Sequence, residues 1–316
     1  MRTINKFFFF TLALFAFSCD DILEEDITDD MVQIISPINN AEIESNVVNF
    51  RWNNIDGADK YRIQVYASNQ SMILDTLVNP SGFTYPMRGG DFQWRIRAEN
   101  SAYQSSYTFP ANFTIIETDD LGNQQMILSS PREGFYFNTT NVTLSWQALR
   151  AADKYQLDLT NMATGAIFPK PDITGNSVTF SATELTQDAK YTWKVKAENE
   201  SSETLYATRS FSIDRVNPNQ PQNSLPANNS RQSANLQLDF TWNMPPDNGV
   251  VQSPISYIIE FSNTADFGAV TQTSNSLNPN FQQIFTQLGD YFWRVRATDE
   301  AGNIGANSSV FKFTIN

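Results

Sequence analysis

The chain has 316 residues, 41% hydrophobic and 13% aromatic, with no histidine, one cysteine and a formal net charge of −13. That length holds two or three ordinary domains, and the apolar content is too high for a disordered chain. Without histidine there are no Ser-His or Cys-His nucleophilic pairs and no ordinary zinc sets, and an acidic chain without a basic segment does not suit nucleic acid as a partner.

The first element is a targeting segment. Arg2 and Lys6 precede an apolar run from Phe7 to Phe17. The run is too short for a bilayer core, which needs about 20 residues, but it suits a secretory signal peptide. Cys19 follows directly, after Ala16, Phe17 and Ser18. Residues 1–18 resemble a bacterial lipoprotein signal with its lipobox, although Phe17 is bulkier than the small or aliphatic residue usual there. The resemblance implies cleavage before Cys19, acylation of that residue, and attachment to a lipid bilayer through it.

Asp20, Asp21, Glu24, Glu25, Asp26, Asp29 and Asp30 come next, with no base among them. Residues 19–31 therefore read as an acidic, solvated tether. The stretch also resembles the surface-export signal of lipoproteins in some Gram-negative bacteria. That implies an outer-membrane location facing the exterior; a tether facing the periplasm is the alternative. The charge is concentrated in connectors, because each repeat described next carries only about −2.

The remainder is one unit used three times. The six tryptophans form three pairs, Trp52 and Trp94, Trp146 and Trp193, Trp242 and Trp293. The first of each pair follows Pro37, Pro131 or Pro226 at a similar distance. The second lies in FQWRIRAEN, YTWKVKAEN or YFWRVRATD. Period-two alternation predicts strands through Val48, Phe50 and Trp52, through Tyr61, Ile63 and Val65, and through Phe92, Trp94, Ile96 and Ala98, with Phe113 and Ile115 closing the first repeat. The second repeat matches with Val142, Leu144 and Trp146, then Tyr155, Leu157 and Leu159, then Tyr191, Trp193, Val195 and Ala197, closing on Phe211 and Ile213. The third uses Leu238, Phe240 and Trp242, then Tyr257, Ile259 and Phe261, then Tyr291, Trp293, Val295 and Ala297, closing on Phe313 and Ile315. Short strands parted by turns and never joined by helices predict an all-β chain of three tandem antiparallel β-sandwiches, at 32–117, 125–214 and 218–316. The linkers are 118–124 and the Pro/Asn/Gln stretch 215–222, which runs into the start of the third sandwich.

The pattern resembles the fibronectin type III domain, a member of the immunoglobulin-like sandwiches. Trp242, Pro245, Asp247, Gly249, Ile255 and Tyr257 follow that family's stretch from second to third strand. Leu185 lies six residues before Tyr191, and Tyr-x-Trp-x-Val-x-Ala recurs in repeats two and three. The resemblance covers nearly all of the mature chain and implies the sandwich without implying a function. It also implies that the hydroxyls of Tyr191 and Tyr291 tie the loop before the sixth strand to nearby backbone. Repeat one has Phe92 there, which packs but cannot donate, so repeat one is expected to be the least stable.

Few residues are candidates for chemistry. The tryptophans alternate with core residues and are expected to be buried rather than to stack sugars. Tyr103, Tyr107, Phe135 and Tyr136 are the candidate exposed aromatics. Arg95 and Arg97, Lys194 and Lys196, and Arg294 and Arg296 recur on the outer face, where Asp158 and Glu260 can pair with them in repeats two and three. In repeat one the neighbouring strand offers Arg62 and Gln64, so Arg62, Arg95 and Arg97 are the candidate uncompensated basic patch, suited to an acidic glycan or to the acidic tether of a neighbouring molecule, with a plain solvated face as the alternative. Glu117, Asp119 and Asp120 are the calcium candidates. Asp75-Thr76-Leu77 resembles a bacterial O-glycosylation triplet, with Thr76 as acceptor. No cofactor is expected, and three small sandwiches leave no chain for the deep cleft of an enzyme. The reading is a membrane-anchored, non-catalytic interaction or spacer module with an unknown protein or glycan ligand. The alternatives are a glycan-binding accessory lipoprotein of a polysaccharide-uptake system and an accessory subunit of an envelope enzyme.

Overall fold

The computed structural model describes residues 24–79, 82–243 and 248–316; the signal segment 1–18, Cys19, Asp20, Asp21, Pro245 and Asp247 lie outside them. Each repeat folds into a three-stranded and a five-stranded sheet. Sandwich 1 comprises β1 (Ile34–Ser36), β2 (Ala41–Ile43), β3 (Val47–Trp52), β4 (Lys60–Ala67), β5 (Met72–Val78), β6 (Phe83–Pro86), β7 (Gly90–Glu99) and β8 (Ala111–Ile115). Its sheets are ordered β1-β3-β6 and β2-β8-β7-β4-β5. Sandwich 2 comprises β9 (Leu128–Ser130), β10 (Phe135–Phe137), β11 (Val142–Trp146), β12 (Lys154–Asn161), β13 (Ile167–Ile173), β14 (Ser177–Phe180), β15 (Ala189–Glu198) and β16 (Ala207–Ile213). Sandwich 3 comprises β17 (Gln222–Leu225), β18 (Ser230–Gln232), β19 (Gln237–Asn243), β20 (Ile255–Ser262), β21 (Val270–Ser276), β22 (Asn280–Ile284), β23 (Gly289–Asp299) and β24 (Phe311–Ile315). Both repeat the strand order of sandwich 1.

The pairings are antiparallel with one exception per sandwich: β2 with β8, β10 with β16 and β18 with β24 run parallel. The opening strand of each repeat starts in the small sheet and crosses to the large one, where it lies beside the closing strand. The crossing follows a cis Ser36-Pro37, Ser130-Pro131 or Leu225-Pro226 bond. Three residues after each proline stands Asn40, Gly134 or Asn229, with φ of 64°, 69° and 63°. Asparagine and glycine are the residue types that accept this left-handed turn readily.

All six tryptophans are core residues, none more than 4% exposed. Each would bury about 150–250 Å², an upper bound of roughly 4–6 kcal/mol at ~25 cal/mol/Å². The first tryptophan of each pair lies against a tyrosine of the next strand, Trp52 on Tyr61 at 5.2 Å, Trp146 on Tyr155 at 5.3 Å and Trp242 on Tyr257 at 5.2 Å. The Tyr61 and Tyr155 hydroxyls accept the backbone N–H of Ile55 and Leu149, which pins the loop between those strands.

Tyr191 in β15 and Tyr291 in β23 behave as the resemblance implies. Tyr191 donates to the Gln187 carbonyl at 2.9 Å and Tyr291 to the Gln287 carbonyl at 3.1 Å. Their rings stack on Phe211 and Phe313 at 5.5 Å, and Phe92 stacks on Phe113 at the same distance. Packing is thus kept in sandwich 1 without the hydrogen bond.

Residues 24–31 differ from the expected tether. Ile27 is fully buried in the core of sandwich 1, together with Val32. Asn100 donates to the Glu25 and Gly57 carbonyls, and Ser101 donates to the Glu24 carboxylate at 2.7 Å. The acidic side chains concealed an amphipathic strap: one isoleucine faces inward while Glu25, Asp26, Asp29 and Asp30 are exposed to water.

The 118–124 linker is built alike. Leu121 is fully buried in the core of sandwich 2. Asn199 donates to the Asp119 and Ala151 carbonyls. Ile27 lies ten residues before Pro37 and Leu121 ten before Pro131. The turns also match, with Asp30 N–H donating to Ile27 and Gln124 N–H to Leu121.

Residues 117–316, which hold sandwiches 2 and 3, form one compact unit. Buried Asp214 is the centre of their joint. Its N–H donates to the Phe137 carbonyl, its carboxylate accepts the Ser253 hydroxyl at 2.7 Å, and its carbonyl accepts Asn303 Nδ2 at 2.8 Å.

Candidate functional site

The outer face of sandwich 1 gathers the residues most suited to recognition. β4, β5 and β7 lie side by side, with Arg62 opposite Arg97 and Gln64 opposite Arg95. The three arginines therefore do share a face. Arg62 and Arg97 are not uncompensated. Arg62 binds Asp75 at 2.9 Å and Glu99 at 3.0 Å, and Arg97 binds Glu99 at 2.7 Å. The acids come from places that β4 does not reveal: Asp75 lies opposite Gln64 on β5, and Glu99 ends β7 itself. Hydrogen bonds from Gln64 and Arg62 hold the Asp75 carboxyl below the usual carboxylate range, against the opposing effect of burial.

Arg95 differs. Its Nε donates to Gln64 at 2.9 Å and its Nη2 to the Tyr66 hydroxyl at 3.2 Å, both neutral partners. The Tyr107 ring packs beneath Arg95 and Arg97, at 4.3 and 4.8 Å from their guanidinium carbons. Three guanidinium charges against the Asp75 and Glu99 carboxylates leave a surplus of one positive charge. The face is thus a nearly neutral, hydrogen-bonded plate of flat groups rather than a strongly basic patch.

The same design recurs in the other sandwiches with different charges. Lys194 meets Asp158 at 3.3 Å, and Tyr206 lies beside Lys194 and Lys196. Lys196 is held by Glu198 and Glu203. In sandwich 3, Glu260 bridges Arg294 and Arg296 at 2.7 and 2.9 Å. Burial penalises its charge, but the two arginines outweigh that and lower its titration.

The other candidates fall in different places. Thr76 lies opposite Ile63 on β5, so its hydroxyl shares the core-facing side of the sheet and is half-buried, a poor position for a bulky modification. Glu117 and Asp119 both turn onto Arg150, at 3.4 and 2.8 Å, and the Asp120 carboxylate accepts the Gly122 N–H. Among the described residues no three carboxylates converge as a calcium site requires. Tyr103 is exposed, whereas Tyr107, Phe135 and Tyr136 are half-buried. Phe135 lies under Arg132 and against Phe137, so its ring is engaged within the chain. No helix among the described residues is long and apolar enough to cross a membrane.

Sequence reasoning missed the strap and the asparagines that hold it. The signal was present, because FQWRIRAEN and YTWKVKAEN both end on the residue concerned, Asn100 and Asn199.

No family model matches the chain, and no curated protein matches it. Among solved structures it is similar to the FN1-FN3 domains of chicken CNTN1, at 14% identity over 90% of this chain and 97% of that one, with a TM-score of 0.42. It is also similar to a fragment of titin domains, at 12% identity, the same coverages and a TM-score of 0.37.

Proposed function

We propose that the chain is a lipid-anchored module of the bacterial cell envelope that acts without catalysis, presenting three tandem sandwiches for interaction or spacing at the outer membrane. The observation that carries this reading is the use of side chains. The aromatic and charged residues that repeat through the chain are spent on cores and on intramolecular pairs. The apolar run to Phe17 and the cysteine directly after it supply the anchoring part. Mass spectrometry of the chain isolated from membranes tests that part: acyl groups on an N-terminal Cys19, lost with a soluble product in Cys19→Ser, are expected. An unmodified Cys19 in the isolated protein refutes it. Protease treatment of intact and lysed cells then distinguishes the exterior from the periplasmic face.

The surplus charge at Arg95, set among Tyr66 and Tyr107, favours an acidic glycan as a second reading of the ligand. Retention on an immobilised acidic polysaccharide that survives Arg95→Glu would remove it.

A further inference from the structure

Residues 24–31 determine where sandwich 1 stands if Cys19 is acylated. Strand β7 runs from Gly90 to Glu99 and so defines two poles, about 30 Å apart at ~3.3 Å per residue. One pole carries the strap, the Gly57 turn and the Asn100–Tyr103 turn. The other carries Asn46, Ser68 and the Met87–Asp91 segment, joined by the Met87 N–H to the Asn46 carbonyl and the Ser68 N–H to the Asp91 carbonyl. On the reading that Cys19 is acylated, we propose that the strap holds the Asn100 pole of sandwich 1 against the lipid surface, with the Arg88 pole pointing away.

Three observations converge on this. The strap is fixed twice, by burial of Ile27 and by Asn100 gripping the Glu25 carbonyl. The same device secures the chain where it enters sandwich 2, with Leu121 buried, Asn199 on the Asp119 carbonyl, and the Asp120-to-Gly122 turn repeating the Asp26-to-Thr28 turn. Two of the three sandwiches thus fix in the same way the direction from which the chain arrives at this pole. Third, only Asp20, Asp21, Ile22 and Leu23 separate Cys19 from the strap. Five steps of extended chain reach at most about 17 Å, whereas a free tether from Cys19 to Val32 would reach about 44 Å. With the strap docked, the pole cannot leave the headgroup layer by more than a fraction of the sandwich's own length.

The test uses the full-length acylated chain in neutral phosphatidylcholine vesicles carrying a headgroup energy acceptor. A donor dye is placed on Ala102→Cys at the near pole or on Arg88→Cys at the far pole; both positions are exposed. An acylated Cys19 does not take the dye. Transfer from position 102 at least about twice that from position 88 is expected from their separation along β7. Asn100→Ala, which leaves the core intact, and Ile27→Asp, which expels the strap, should both shrink the difference, the second more. Equal transfer from the two positions in the parent strap overturns the proposal, as does a difference that neither strap variant changes. A chain that fails to float with vesicles and labels at Cys19 overturns the anchoring reading and this proposal together, and is told apart by that labelling.

Discussion

Replacing Ile27 by alanine tests whether the strap belongs to sandwich 1 in solution, independently of any anchor. The side chain is fully buried among the core residues of that sandwich. Truncating a buried isoleucine to alanine costs about 2–5 kcal/mol, depending on how well the site collapses. The strap is a peripheral segment that can shift into the hole, so the low end, about 2–3 kcal/mol, is expected. In a domain of this size each kcal/mol lowers the melting temperature by roughly 4–8 °C, so a fall of about 10–20 °C follows. Residues 117–316 form a separate compact unit, so calorimetry of the whole chain should show one transition moving and the rest staying in place. Leu121→Ala is the mirror experiment and should move the other unit instead. An Ile27→Ala chain that melts like the parent would mean that residues 24–31 are a free tether after all, and the inference drawn from the strap would fail with it.

Three further outcomes are expected. Tyr191→Phe removes the bond to the Gln187 carbonyl without disturbing the ring stack and should cost sandwich 2 about 0.5–1.5 kcal/mol in denaturant melts; by the same reasoning sandwich 1, with Phe92, should be the first to melt, and its melting last would refute the comparison. Glu260 titrates below its ordinary range when folded, so its contribution is present above the unfolded value of about 4.3 and is lost as pH falls through the lower folded value; acid melts of Glu260→Gln should lack that component in sandwich 3. At the joint of sandwiches 2 and 3, a Cβ on Gly305 would lie 2.5 Å from the Pro218 carbonyl oxygen, and Asp214→Ala would strip Ser253 of its partner; the alanine at 214 should cost about 1–3 kcal/mol, and both variants should open residues 215–221 to protease faster than the parent.

The three repeats, the strands that carry the tryptophans and the inward face of each were legible in the sequence, because burial on a pleated strand imposes a period of two that survives without any knowledge of neighbours. Tyr191 and Tyr291 were legible for a related reason: their partners lie four residues away, within one turn of chain. What only the tertiary structure decided involved partners distant in sequence. Asp75 compensates Arg62 because β5 folds back beside β4, and Glu99 reaches the same arginine from 37 residues on, so a patch that looks basic along one strand is nearly neutral across three. The strap was hidden by its composition. Seven acids between Asp20 and Asp30 imply solvation, yet the burial of Ile27 in the core and the bond from Asn100 to the Glu25 carbonyl, 75 residues apart, hold residues 24–31 in place. Charge describes what a segment shows to water, and only the fold reveals what its one apolar side chain has met.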